Sequence, residues 1–348
     1  MTYSLILRES SSNRLFKTYA GLFGMGSKKT KALNAIIKRN ILVYCKDKEN
    51  VFYTFMSMLI IITLMIVFLG DMNVDMVKDV IRKMEELMRE TAIPAEYLVP
   101  GVRNPELDNE NARELVFLMI IAGITIVNGI SASMGMLSML SWDEESGRLA
   151  AYYVAPISRF ALVSGYVVSA ICLSIIFSVV TVVVSEIIVV ITGGALITPI
   201  MALKVLGLIV LNAFSTTAFL FFITSMARTR SAYSGISTFV YTLSGFITGM
   251  YVPIGIMPEF VGRILAFIPM SQGSAWMRRI FMNDALHKAF AGLPKDAISK
   301  YAEATGMELK IGNTAPSPWM QFVLMFGSGV LFMILSSAMM SKKNVRDR

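Results

Sequence analysis

Charge is scarce in this chain: only 16% of its 348 residues are Asp, Glu, Lys or Arg, while 55% are hydrophobic. Soluble domains carry roughly 25% charge, so a soluble fold of this length lacks the polar side chains to cover its surface. The mean hydropathy of +0.62 points instead to a polytopic membrane protein. Abundant aliphatic residues exclude disorder. The chain has two cysteines. Cys45 stands beside Lys46 and Lys48, and Cys172 lies in an apolar run, so they read as unpaired thiols and exclude a disulfide scaffold. One histidine, His287, excludes a zinc site of protein ligands and the Ser-His and Cys-His nucleophile schemes; it reads as a loop residue. A phosphate-binding loop is lacking as well. The stretch Gly21 to Thr30, GLFGMGSKKT, spaces Gly21 and Gly26 correctly, but Ser27 stands where the lysine should follow and no hydrophobic strand precedes it.

What the chain does have is apolar runs. Stretches near 52–70, 115–140, 161–192, 201–227, 232–252 and 318–340 approach or exceed the roughly 20 helical residues that cross a bilayer, and predict six spans. The first follows a basic segment of about 50 residues, unlike the short charged region of a cleavable signal peptide. Residues 1–51 hold ten Lys or Arg against three acids, and residues 71–114 hold six against eleven. The positive-inside rule therefore places the N-terminus in the cytoplasm. Six spans return the C-terminus to the same side, where Lys342, Lys343, Arg346 and Arg348 agree. The net charge of +8 is thus a topology signal and not a nucleic-acid surface. Residues 254–270 are apolar but short, carry Glu259 and Arg263, and are punctuated by Pro253, Pro258 and Pro269. They read as a re-entrant or interfacial outer hairpin, followed by a polar outer loop over 271–317.

Two segments outside the spans show helical periodicity. Leu33, Ile36, Ile37, Ile41 and Tyr44 share a face, with Lys31, Lys38 and Lys46 elsewhere around the turn, which predicts an amphipathic helix at the inner membrane surface or packed in a small cytoplasmic domain. Met76, Val77, Val80, Ile81, Met84, Leu87 and Met88 repeat likewise, giving a small outer helical subdomain within 71–114 that Pro94, Pro100 and Pro105 end.

Polar residues inside the spans need partners. Glu186 lies near the outer end of the third span and Lys204 near the start of the fourth. A carboxylate deep in a bilayer costs roughly 2.5 to 3.5 kcal/mol, so Glu186 is expected to pair with Lys204, with snorkelling or a role toward cationic cargo or protons as alternatives. Asn128 and Asn212 read as interhelical hydrogen-bonding groups before path-lining ones. Gly123, Gly129, Ser131, Ser133 and Gly135, and Gly235, Ser237, Ser244, Gly245 and Gly249, permit close helix approach within one protomer or between two.

The stretch SWDEESGRLAAYYVAPISRF, residues 141–160, connects the second and third spans on the cytoplasmic side. Its acids Asp143, Glu144 and Glu145 run against the basic bias of that side; a helix cap is the plain explanation. The acidic cluster, Gly147, and Pro156, Ile157, Ser158 and Arg159 together resemble the first cytoplasmic loop of ABC-2 type transporter permeases. The amphipathic helix, the span count, and Gly249 to Arg279, GMYVPIGIMPEFVGRILAFIPMSQGSAWMRR, similar to the family's proline-marked outer hairpin, agree with that resemblance.

The resemblance implies an all-α polytopic membrane protein of six transmembrane helices in the cell membrane, with residues 1–51 as a cytoplasmic segment and 52–348 as the transmembrane domain. Within it, 71–114 form the outer subdomain, 141–159 the coupling loop and 253–317 the outer hairpin and loop. It implies a permease subunit that pairs with a second protomer, identical or not, and docks a cytoplasmic ABC ATPase through Trp142, Asp143, Glu144, Glu145, Gly147 and Arg148. ATP and Mg would be bound by that ATPase, with no cofactor on this chain, which is not itself an enzyme. The outer subdomain sets the chain apart from the shortest family members and favours lipophilic or drug-like cargo over a lipid-linked polysaccharide. An ion-coupled secondary transporter or channel is the alternative. It should show internal repeats with interrupted helices, and residues 52–192 and 201–340 show no convincing repeat.

Overall fold

A computed structural model describes residues 27–64, 70–90, 93–101, 104–149, 159–191, 196–227, 229–310 and 314–346. The glycine-rich stretch before Ser27, the end of the first expected span, and Pro156, Ile157 and Ser158 lie outside the described residues. Among the described residues the fold is helical without strands, and a lone bridge joins Leu98 to Pro294.

Helices α1 (Ser27–Lys46) and α2 (Lys48–Leu64) are followed by α3 (Gly70–Glu90). The periodicity of α3 predicts its burial: Val74, Val77 and Ile81 pack on Leu115, Val116 and Ile120 of α4 (Asp108–Glu145). A 3-10 turn leads into α4, capped by Asn104, whose side chain accepts from Glu106 N–H, with Asp108 and Glu110 suiting the helix dipole. Thirty-eight residues make α4 about 57 Å long, roughly twice a hydrocarbon core. One end must therefore project.

The remaining helices are α5 (Arg159–Ile191), α6 (Pro199–Ser225), α7 (Arg230–Ile247), α8 (Glu259–Leu265), α9 (Pro269–Ala289), α10 (Lys295–Ala304) and α11 (Pro318–Arg346). Thr198 and Thr229 cap α6 and α7 by accepting from Met201 and Ala232 N–H, and Pro199 occupies a first-turn position of α6 where a missing N–H costs nothing. Among the described residues, four helices are long and apolar enough to cross a membrane: Pro105–Glu145, Ala161–Ile191, Pro199–Ser225 and Pro318–Met339. They coincide with four of the six expected spans. The first expected span falls on α2, whose apolar part Thr54–Leu64 runs up to residues outside the description, and the fifth falls on α7, a helix of 18 residues.

Helix α4 is the axis of the bundle, packed against α2, α3, α5, α6, α7 and α9. Small residues permit this within the chain. A methyl group on Gly129 would stand 2.7 Å from Ser178 Oγ, and Ser174 and Ser178 donate across the same α4–α5 seam to the carbonyls of Gly129 and Thr125. Ser133 meets Thr217 of α6 at 2.7 Å, and the Tyr233 hydroxyl of α7 donates to Met134 O.

The segment expected as a polar outer loop over 271–317 differs from that reading. Its first part, α9, is buried between α4, α6 and α11. Helix ends that expose unpaired carbonyls supply acceptors for its polar groups: Ser271 donates to Ile247 O, Ser274 to Thr248 O, and Gln272 to Ala266 O. Arg278, buried, donates through Nη2 to both Thr248 and Gly249 O. Local composition made α9 look solvated because the carbonyls that satisfy it come from other elements. His287, expected in a loop, is exposed on the last turn of α9.

Candidate functional site

The C-terminal end of α4 carries Trp142, Asp143, Glu144 and Glu145, and their environments differ. Asp143 is buried while Trp142, Glu144 and Glu145 are exposed. Asp143 Oδ2 accepts from Arg39 Nη1 of α1 at 2.6 Å and from the Tyr166 hydroxyl of α5 at 2.6 Å, and its Oδ1 faces Arg148 at 3.5 Å. Arg39 Nη1 also reaches the Tyr166 oxygen and Asn40 Oδ1. One carboxylate thereby joins three helices through charge-assisted hydrogen bonds.

Apolar packing surrounds this junction. Ile36 of α1, Leu149, and Leu162 and Tyr166 of α5 form a small cluster. At Gly165 the two helices approach so closely that an added methyl would lie 2.5 Å from Ile36 Cγ2. The predicted apolar face of α1 is thus packed on protein: Ile36, Ile37 and Tyr44 are buried, and α1 runs against α5.

Beyond Asp143 the chain turns. Gly147 adopts φ +70, a conformation that glycine takes without Cβ strain, and its amide bonds Glu144 O while Leu149 N–H bonds Asp143 O. Arg230, at the start of α7, lies 3.3 Å from the centroid of the Trp142 ring and 3.4 Å from Glu145 Oε2, a stacked and paired guanidinium on the exposed side. Among the described residues the Glu144 carboxylate has no partner. Of the six residues expected as one contact surface, Trp142, Glu144, Glu145, Gly147 and Arg148 are exposed together, and Asp143 is withdrawn behind them.

The sequence reading did not single out Arg39, Tyr166 or Arg230. A local signal existed for α1, since Asn40 continues the Ile36–Tyr44 stripe and is wholly buried. No local pattern pairs Arg39 with a residue 104 positions away.

The polar residues of the spans separate likewise. Asn128 Nδ2 donates to Thr181 Oγ1 across α4–α5. Asn212 accepts from Thr216 within α6 and abuts Gly273 of α9. Glu186 and Lys204 are not brought together: Glu186 is buried with Oε2 accepting the Ile197 N–H at 3.1 Å, whereas Lys204 is exposed and forms no ion pair with it. The turn into α6 offers a backbone donor closer than the ammonium.

A comparison with curated proteins returned no match. The sequence pattern of the family described as ABC-2 type transporter matches residues 31–282, a stretch that runs from within α1 through the whole of α4 into the buried α9. With more than half its length matched, this chain belongs to the ABC-2 type transporter family, the membrane-spanning permease component of ABC transporters.

Proposed function

We propose that the chain is the permease subunit of an ABC exporter in the cell membrane, with ATP and Mg bound and ATP hydrolysed on a separate cytoplasmic ATPase. Two protomers of six spans each, with termini in the cytoplasm, form the path for a lipophilic or drug-like molecule. The observation that carries this reading is the division of labour at the end of α4, where buried Asp143 fixes the helix to α1 and α5 while Trp142, Glu144, Glu145 and Arg148 remain exposed. Such a surface is rigid from behind and charged in front, as a lever for a partner requires.

Closure of the two ATPases would push the exposed acidic end. Because α4 is one continuous helix of about 57 Å, the push tilts it as a rigid body against α5 and opens a path between protomers. In this reading 1–51 and 141–159 lie on the ATPase side and 71–114 on the outer side, as does 253–317 apart from the buried α9.

The test is purification of the full chain from its native membrane in mild detergent. Retention of an ATPase whose hydrolysis rises with cargo supports the exporter. Solute uptake that follows an ion gradient and ignores ATP would replace it with a secondary transporter.

A further inference from the structure

Near the end of α5, Glu186 sits only 7% exposed in an otherwise aliphatic wall. Its Oε2 is held by the Ile197 N–H, but Oε1 is buried and has no hydrogen-bond partner. Glu186 is among the residues that line an open cleft of about 530 Å³ between α5 and α6, with Val183, Ile187, Val190, Leu206 and Ile209 among its other walls. That volume is within the range of small-molecule sites. Lys204, the nearby cation expected to neutralise Glu186, is exposed and makes no ion pair with it. A buried carboxyl oxygen without a donor is unfavourable unless a donor arrives. The complementary group brings positive charge, an N–H for Oε1, and an apolar body for the aliphatic wall.

We propose that the α5–α6 cavity binds a free lipophilic amine in its ammonium form, its N–H donating to Glu186 Oε1 and its hydrocarbon part lying among Val183, Ile187, Val190, Leu206 and Ile209. The bond from Ile197 to the other oxygen fixes the carboxylate, so the site is preorganised. An alcohol of equal length brings no charge, and a quaternary ammonium brings no N–H. Binding stands apart from the transport reading; only identification of the amine as cargo rests on it.

The experiment measures saturable binding of radiolabelled dodecylamine to the full chain in phosphatidylcholine nanodiscs, above empty nanodiscs and without ATPase. The expected result is saturable binding near one per chain, with dodecanol not competing and dodecyltrimethylammonium competing at least tenfold more weakly than unlabelled dodecylamine. Glu186→Gln, which keeps an oxygen for the Ile197 N–H, should weaken binding at least tenfold. Val183→Trp, which fills the cavity and leaves the carboxylate intact, should do the same and decides the matter where the first variant fails to fold. Undiminished binding in either folded variant, or equal competition by dodecanol, overturns the proposal. Adding phosphatidylethanolamine to the nanodiscs should leave dodecylamine affinity unchanged; a Glu186-dependent loss would assign the cavity to a lipid headgroup and overturn the free amine. Amine binding without ATP-driven export would keep the site and remove its role as a cargo site.

Discussion

Arg39 and Asp143, 104 residues apart, meet at 2.6 Å between the amphipathic helix α1 and the C-terminal end of α4. Asp143 is nearly inaccessible and Arg39 is about one quarter exposed, so the pair is partly desolvated and its loss is felt. Breaking such a pair from the buried side costs about 3 kcal/mol. Asp143→Asn should therefore destabilise the purified chain by that order. In a cycle with Arg39→Gln, the two substitutions should show a coupling of about 1 to 3 kcal/mol. Chemical denaturation in detergent measures it, and additive effects would mean the contact carries no energy.

The approach of α1 to α5 rests on Gly165. Gly165→Ala places a methyl 2.5 Å from Ile36 Cγ2, which either displaces α1 or strains the seam at a cost of about 1 to 3 kcal/mol. Hydrogen exchange across residues 27–46 should quicken in this variant while α4 near Gly129 stays protected. Unchanged exchange in α1 would show that the seam has slack.

Arg278 is among the largest fully buried side chains, and its Nη2 closes the end of α7 by donating to the Thr248 and Gly249 carbonyls. Arg278→Ala removes both bonds and leaves a hole, at a cost of about 3 kcal/mol. Thermal unfolding of the full chain should shift downward. An unshifted transition would contradict a structural role for this guanidinium.

The four longest apolar runs were legible because a span needs only length and hydropathy, which are local. The face of α1 was legible too, through Ile36, Ile37 and Tyr44, although its cover is α5 and its own chain instead of the membrane surface alone. The composition of α9 misled for the opposite reason. Ser271, Ser274 and Arg278 look solvent-bound until the carbonyls of Ile247, Thr248 and Gly249 are brought to them. At the site, the acidic cluster was visible as three equivalent acids. Only the packing separates Asp143, which holds helices together, from Glu144 and Glu145, which are exposed.

Pairing of Glu186 with Lys204 was inferred from depth along two antiparallel helices. Depth does not fix rotation about the helix axis: Lys204 is exposed, while Glu186 is buried and its Oε2 accepts the Ile197 N–H.

The central claim is that Glu144 serves a partner and Asp143 serves the fold. Glu144→Lys, an exposed change with no side-chain partner to lose among the described residues, should leave thermal stability within about 0.5 kcal/mol. Measured in the same membranes, this variant should release the co-purifying ATPase or hydrolyse ATP without exporting cargo. Full retention of the ATPase together with undiminished ATP-driven export would contradict the account.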